Sequence, residues 1–399
     1  MSAETDLEGR PEFVDPGDPA RIARRLLSAF RDWSGDEPDG VWCAPGRVNV
    51  IGEHVDYNDG ICMPMALEHA TYAAVRRRTD DTVRMFSTQQ DQIWTGTLDG
   101  IGPGRTTGWA AYAAGVLWAL RQSGLNVPGL DVVVDSRVPI GSGLSSSAAL
   151  ECSLGAALHD LLGVDDGRDA RVRLARACMR AESEVARAPT GGMDQTIALL
   201  AEPERLLLLD CRDWSTRQLP WTDPDLTLLV IDTRTHHRLT DGQYGDRRRD
   251  CERIAALLGV GSLREVDESA IPAVSDERLR ARLRHVVTEI ARVREVARLL
   301  DEGALPAIGS MLDASHASLR DDYEVSCAEL DVVTAAAREA GALGARMTGG
   351  GFGGSAIALV RGVDADRVAE HVRSASREAD HRDPRFLLAV PSGAARRLL

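Results

Sequence analysis

Lysine is missing from this chain of 399 residues; all 47 basic residues are arginine. A Walker-type phosphate loop is thereby excluded, because G-x-x-x-x-G-K cannot be written without it. Positive charge is short as well. Against 61 acidic residues the net charge is −14, the wrong balance for nucleic acid, whose phosphates reward a basic face. The one dense basic cluster, Arg247, Arg248 and Arg249, lies in "YGDRRRDCERI", where acidic neighbours mark a solvated helix face. No two cysteines form a C-x-x-C. The seven are scattered and odd in number, which suits reduced thiols in a cytoplasm better than a disulfide framework or a zinc site. No stretch approaches the ~20 apolar residues that span a membrane. The first 20 residues, "MSAETDLEGRPEFVDPGDPA", lack the basic and apolar regions of a signal peptide, and they are expected to be a mobile tail. There is no tandem repeat.

Apolar sequence is plentiful at 44%, enough for the cores of two domains or one large one. The spacing of Ile22, Leu26, Leu27 and Phe30 predicts a helix over 21–33. Residues 70–78 and 81–87 read as paired strands. The run "TGWAAYAAGVLWALRQSG" (107–124) predicts a helix with Trp109, Tyr112, Val116 and Leu120 on one stripe and Gly124 beyond its end. Helices are also expected over 146–162 and 169–187, the second broken by Pro189 and two glycines. "RLLLLD" (205–210) and "LTLLVID" (226–232) read as buried strands. A domain boundary is expected in the polar segment between them, giving one domain over 21–212 and another over 213–399. In the second, helices near 243–258, 276–300, 326–340 and 364–379 accompany strands near 355–361 and 386–390.

Three loops permit chemistry. "VPIGSGLSSSAAL" (138–150) lies between the valine-rich run "LDVVVD" (130–135) and an alanine-rich helix. A helix N-terminus presents unpaired N–H groups and the positive end of its dipole. Gly141 and Gly143 allow close backbone approach to a ligand. Ser145, Ser146 and Ser147 can cap the helix and donate to phosphate oxygens, and one of them can ligate Mg²⁺, a hard cation preferring oxygen. A flexible Gly/Ser linker would not sit tightly between a strand and an amphipathic helix. "MTGGGFGGSAIALV" (347–360) reads equally as close backbone approach to a ligand or as a tight turn before a strand. "GRVNVIGEHVDYNDG" (46–60) places Arg47, Glu53, His54 and Asp56 within ten residues. That is either a capped surface turn with ion pairs or a grip on a polyhydroxylated ligand. The paired His/Cys spacing of a transition-metal site is lacking around His54. Two acids complete the set. Glu182, on a helix, can complete an Mg²⁺ shell. Asp194, past the glycine-rich break, can accept a proton from a substrate hydroxyl.

Taken together these segments resemble the galactokinases of the GHMP superfamily of sugar and small-molecule kinases. "GRVNVIGEHVDYNDG" is similar to the galactokinase signature, "PIGSGLSSSAA" to the superfamily's ATP-binding motif and "MTGGGFGGSAI" to its third motif. Further galactokinase-like stretches are "QYGDRRRDCE" (243–252), "RHVVTEIARV" (284–293) and "SHASLRDDYEVSCAELD" (315–331). The resemblance implies an α+β fold of two lobes, with mixed sheets and helices and the active site in the cleft between them. It implies transfer of the γ-phosphoryl of ATP to the C1 hydroxyl of α-D-galactose, giving galactose 1-phosphate and ADP. By the same resemblance Asp194 and Arg47 are catalytic, and Glu53, His54, Val55, Asp56, Gly191 and Tyr244 bind the sugar. Ser87 and the run Gly141, Ser142, Gly143, Leu144, Ser145, Ser146 and Ser147 hold ATP, with Mg²⁺ on Ser147 and Glu182. The family's Cys-Gly-Ile-Met is here Thr190-Gly191-Gly192-Met193, and Asp232 stands where the family often has Asn. The alternatives are a sister kinase acting on N-acetylgalactosamine or a related sugar, and a non-catalytic galactose/ATP sensor. A monomeric cytoplasmic enzyme is expected, with small-molecule partners and no membrane or nucleic acid.

Overall fold

The structure, a computed structural model, describes residues 10–188, 190–221, 223–236 and 240–399. The first described element belongs to the second sheet of the molecule. β1 (Glu12–Phe13) pairs in parallel with β12 (Arg385–Ala389), Phe13 opposite Phe386. The mobile tail expected over 1–20 is corrected for its later part: backbone pairing and the 5.7 Å contact of the two phenylalanine rings hold it, and residues 1–9 lie outside the described range. Helix α1 (Pro19–Ser34) follows. Asp18 caps it by accepting from Arg21 N, Pro19 opens it, and Gly35 ends it in the left-handed region at φ 77°. Such a cap is worth about 1 kcal/mol. Its stripe Ile22, Leu26 and Phe30 is buried.

Eight strands make the first sheet. β2 (Gly40–Ile51) is buried at every residue, which is why its sequence shows no alternation of apolar and polar positions. It runs antiparallel to β3 (Ile61–Arg77), and beyond β3 come β6 (Leu130–Ser136), β4 (Thr82–Ser87) and β5 (Trp94–Thr97). The two runs expected to pair, 70–78 and 81–87, are therefore separated. β6 inserts between them, antiparallel to β3 and parallel to β4. Its four valine and leucine positions make it the more buried strand, and a buried strand goes inside a sheet rather than at its edge. One face of the sheet carries α1. The other carries α2 (Ala110–Gln122), α3 (Ser146–Leu161) and α4 (Arg168–Arg180), packed on Trp42, Ala73, Val75 and Val132. α4 ends in a π-helical turn, Ala181–Ala186, where a plain helix was expected. A short α5 (Met193–Leu200) follows.

β7 (Arg205–Asp210) and β8 (Thr216–Pro220) form a hairpin attached to β3. The chain thus changes sheets between Pro220 and Leu226, later than the 212/213 boundary, because residues just after 212 still pair with the first sheet. The second sheet has the order β1, β12, β9 (Leu226–His236), β11 (Gly353–Arg361), β10 (Gly344–Thr348). Alternate residues of β9 and β11 point to opposite cores. Leu229, Ile231, Ala356 and Ala358 face α9 (Ala328–Glu339) and α10 (Ala365–Glu378). Leu228, Val230, Ile357 and Leu359 face a core built also from Val48, Ile51, Met63 and Met65 of β2 and β3, together with Val293 and Val296 of α7 (Glu277–Asp301). α6 (Thr240–Leu258) and α8 (Ile308–Asp321) complete the helices. The last strand, β13 (Arg396–Arg397), returns to pair with β2.

Candidate active site

β2 carries Arg47 across the centre of the molecule to the seam between the sheets. Its guanidinium is nine-tenths buried and meets Asp194 with both ends of the fork: Nε donates to Oδ1 and Nη2 to Oδ2, each at 2.8 Å. Nη1 donates to the carbonyl of Gly143 at 2.5 Å, and Arg47 N donates to the carbonyl of Leu144. One arginine thus fixes the acid of the 190–194 turn against the serine-rich loop. A planar five-donor group suits this three-way geometry; an ammonium does not.

The serine-rich loop is built by backbone. Gly141 and Gly143 take φ 78° and 77°, and Ser145 takes the same left-handed region at φ 60° without being glycine. Serine there costs about 1 kcal/mol or more, and it persists because its hydroxyl donates to Asp194 Oδ2. That replaces the expected cap: no side chain caps α3, so its first N–H groups remain available to an anion. Ser142 and Leu144 are buried, Ser142 donating to the carbonyl of Pro139 and Leu144 sitting in the shared core. "MTGGGFGGS" packs directly behind this loop. Ser355 donates to the carbonyl of Ser142 at 2.7 Å, and a Cβ at Gly349 or Gly354 would lie 3.3 Å from the carbonyl oxygens of Gly143 and Ser142. Part of this glycine run therefore serves loop-against-loop packing, while Gly349 and Gly350 reach a cavity.

That cavity, about 170 Å³, is lined by Arg47, Glu53, His54, Asp56, Glu182, Gly191, Asp194 and Tyr244, with Gly52, Thr190, Met193, Gly349 and Gly350. Six expected sugar or catalytic side chains thus surround one space. Glu53 Oε1 accepts from Gly349 N at 2.6 Å and from Thr348 Oγ1 at 3.2 Å, with the buried Arg346 3.5 Å away. Burial, with Asp194 and Glu53 nearby, pushes the Asp56 carboxyl up to about 6. Gly191 must be glycine, since a Cβ there would stand 1.9 Å from Asp56 Oδ2. Two of the expected residues turn their side chains to partners within the protein. Val55 is fully buried in the core of the second half, against Gly60, so its side chain does not reach the cavity. His54 lines the cavity, but both ring nitrogens have protein partners. Nε2 donates to the carbonyl of Gly350 at 3.2 Å, so Nδ1 accepts from Tyr57 Oη at 2.8 Å. Burial lowers the His54 pKa to about 3, so the ring is neutral at physiological pH. It ties the signature loop to the third motif.

A second cavity, about 300 Å³, opens on the other side of the serine loop. Ser87, Ser146 and Ser147 line it with Gln89, Trp109, Tyr112, Ile140 and Leu150. Trp109 and Tyr112 were readable only as part of a helix stripe; both are half-buried and line the cavity, whereas Val116 and Leu120 of that stripe go to the core. Glu182 of the first cavity touches Ser147 of the second: its carboxylate accepts from Ser147 and from Gln195 Nε2. The π-helical turn, a local irregularity frequent at functional sites, places Glu182 here. Burial and the nearby Asp194 push its pKa up to about 7. Behind it Glu151 is fully buried and also accepts from Gln195 Nε2, at 3.0 Å; burial and the adjacent Glu182 raise its pKa well above normal. Neither Glu151 nor Gln195 carried a signal in the sequence.

Carboxylates therefore outnumber cations between the two cavities. This donor set, a hydroxyl and a carboxylate in contact with a surplus of negative charge, fits a hard divalent cation. Among the described residues no group of three or more His, Cys, Asp or Glu side chains is placed to hold a metal ion alone. Such a cation would need oxygens from a bound phosphate, which is the usual habit of Mg²⁺.

Comparison with known proteins agrees with this geometry. The galactokinase galactose-binding signature matches residues 28–77, the GHMP kinases N terminal domain residues 111–202 and the GHMP kinases C terminal domain residues 296–378. The galactokinase of Streptomyces coelicolor is 49% identical over 389 residues, covering 95% of this chain and 99% of its own length. That of Bos taurus is 42% identical over 388 residues, covering 94% and 96%. The crystal structure of Lactococcus lactis galactokinase complexed with galactose superposes with a TM-score of 0.89 at 30% identity, over 94% of this chain and 100% of the other. The chain belongs to the galactokinase family of GHMP kinases and has its mixed α+β fold.

Proposed function

We propose that this chain is a galactokinase in which the first cavity holds galactose, the second holds the nucleotide, and the phosphoryl group crosses between them at Arg47, Ser147, Glu182 and Asp194. The observation that carries this reading is the junction itself. Two cavities of different character flank a bidentate Arg–Asp pair, a helix N-terminus without a side-chain cap and a hydroxyl–carboxylate pair that links one lining to the other.

Each part has a physical task. Trp109, Tyr112 and Ile140 offer apolar surface for a base, with Ser87 and Gln89 beside it. The N–H groups at the start of α3 and the helix dipole hold phosphate oxygens. Asp194, held by the Arg47 fork, accepts the C1 hydroxyl hydrogen and aims its oxygen at the γ-phosphorus. The new P–O bond forms as the bond to the β-bridging oxygen breaks, ADP leaves, and the proton passes to Asp194 or onward to water. Phosphoryl transfer asks mainly for positioning and charge compensation, and Arg47 supplies a fixed positive charge beside the moving group. Ser147 and Glu182 would hold Mg²⁺, which when bound offsets charge on the β- and γ-phosphates.

Galactose rather than N-acetylgalactosamine is supported by the galactose-binding signature over 28–77. No helix among the described residues is long and apolar enough to cross a membrane, and the seven cysteines are free thiols; together with the reducing conditions such thiols need, this supports a cytoplasmic setting.

The test is ADP release with galactose under saturating Mg-ATP. Wild-type protein turns over. Asp194→Ala loses about 10²–10⁴-fold in kcat while still binding galactose and nucleotide by calorimetry. Near-native turnover in that variant removes Asp194 from the chemistry, and tight binding of both ligands without any wild-type turnover marks a sensor instead.

A further inference from the structure

Two of the galactokinase-like stretches, 284–293 and 315–331, line neither cavity. They nevertheless contain a buried polar network with an unusual target. His285 and Glu289 stand one turn apart on α7, on the same face, and both are fully buried. Glu289 Oε1 accepts from Gly52 N at 2.9 Å, from Glu53 N at 3.3 Å and from Ser315 Oγ at 2.8 Å, while Oε2 accepts from Arg292 Nε at 2.8 Å. His285 Nε2 donates to the carbonyl of Glu53 at 3.1 Å, and its Nδ1 accepts from Ser318 Oγ at 3.0 Å. Burial keeps this imidazole neutral. The N–H and the C=O of one residue, Glu53, are thus held from the same helix.

We propose that His285 and Glu289 are positioning residues for the sugar, a role that rests on the galactose reading above: they clamp the backbone at Gly52 and Glu53 so that the Glu53 carboxylate is presented to the first cavity. Burying a carboxylate and an imidazole is costly, and apolar residues would pack α7 as well. What the pair provides is control of one peptide segment. The next residue, His54, sits at φ 60° without being glycine, a conformation that survives only where its surroundings hold it. Glu53 is then fixed at three points: its N–H, its C=O and its Oε1, the last by Gly349 and Thr348.

The test compares His285→Phe, His285→Gln and Glu289→Gln with wild type, measuring KM for galactose and for ATP separately, galactose Kd by calorimetry, and Tm. Phenylalanine keeps the ring against Tyr323 (4.4 Å between centroids) but has no donor. His285→Phe is expected to raise galactose KM and Kd about tenfold, the loss of roughly one buried hydrogen bond, with ATP KM unchanged. His285→Gln, whose amide reaches as far as Nε2, recovers most of that loss. Glu289→Gln, which keeps one acceptor oxygen, falls between. Unchanged galactose affinity in the two His285 variants overturns the clamp, as does a rise in both KM values in step with falling Tm. Should His285→Phe not fold, His285→Gln and Glu289→Gln decide by the same galactose-to-ATP split. Wild type that binds galactose without turnover refutes the kinase reading and leaves the Kd comparison to judge the clamp; wild type that binds no galactose refutes both.

Discussion

The Arg47 side chain has three hydrogen bonds, two to Asp194 and one to the carbonyl of Gly143, and losing the fork matters more than losing the charge. In Arg47→Lys one ammonium cannot reach both oxygens of Asp194 and the carbonyl of Gly143 together. The expected result is kcat lower by about 10²–10³-fold, with circular dichroism unchanged. Asp56 gives the site a pH dependence of known sign. Its carboxyl titrates at about 6 in the folded chain, raised first by burial and then by Asp194 and Glu53. The ionised form is the one that accepts from a sugar hydroxyl. Galactose KM should therefore climb as pH falls below about 6, approaching tenfold per pH unit, the behaviour of a single ionising group. Because the folded pKa is raised, the Asp56 contribution to stability of the unliganded protein is complete below the unfolded value near 4 and is lost as pH rises through 6. The rise in Tm produced by galactose should accordingly grow between pH 5 and 7. Asp56→Asn should flatten both curves; a pH profile that survives that change assigns the titration elsewhere.

At the level of elements, the local signals were good where helix and loop boundaries depend on neighbours in sequence. α1, α2 and α3 lie where apolar spacing and glycine stops put them. Features that depend on another segment were invisible. Nothing local distinguishes the π-helical turn from one more turn of α4, because that turn follows from the position Glu182 takes beside Ser147 and Gln195. The order of β3, β6 and β4 was misread for the same reason, since pairing is chosen by burial across the sheet. The turn before α5 shows how narrow such a fit is. Gly191→Ala should drive Asp56 aside, lowering kcat/KM for galactose about 10²-fold, the effect of a misplacement near 1 Å, with ATP KM nearly constant. An equal fall for both substrates would mean that the 190–194 turn, rather than Asp56, has moved.

Over the whole molecule the two sheets are not independent bodies. Leu228, Val230, Ile357 and Leu359 share a core with Val48, Ile51, Met63 and Met65, β1 places the start of the described chain on the second sheet, and β13 places its end on the first. Separating the halves would expose that core, and each buried leucine lost there costs about 2–5 kcal/mol. Unfolding in urea is therefore expected as one transition, with tryptophan fluorescence and far-UV circular dichroism coincident. The seven tryptophans report mainly on the first half, so two resolved transitions would show the halves separating before either unfolds.

The sequence by itself determined the chemistry on offer: no lysine, hence a phosphate loop of backbone and serine; an acid-rich signature with one arginine; an α+β succession of helices and strands. These follow from residue type and short-range spacing, which the chain carries without folding. Only the tertiary structure decided which of those groups work together. It put Arg47 on Asp194 across 147 positions of sequence, turned Val55, Ser142 and Leu144 inward, engaged both nitrogens of His54, and set α7 behind Glu53. Contacts between distant segments are chosen by burial and by hydrogen-bond satisfaction over the whole fold, and no window of neighbouring residues records that choice.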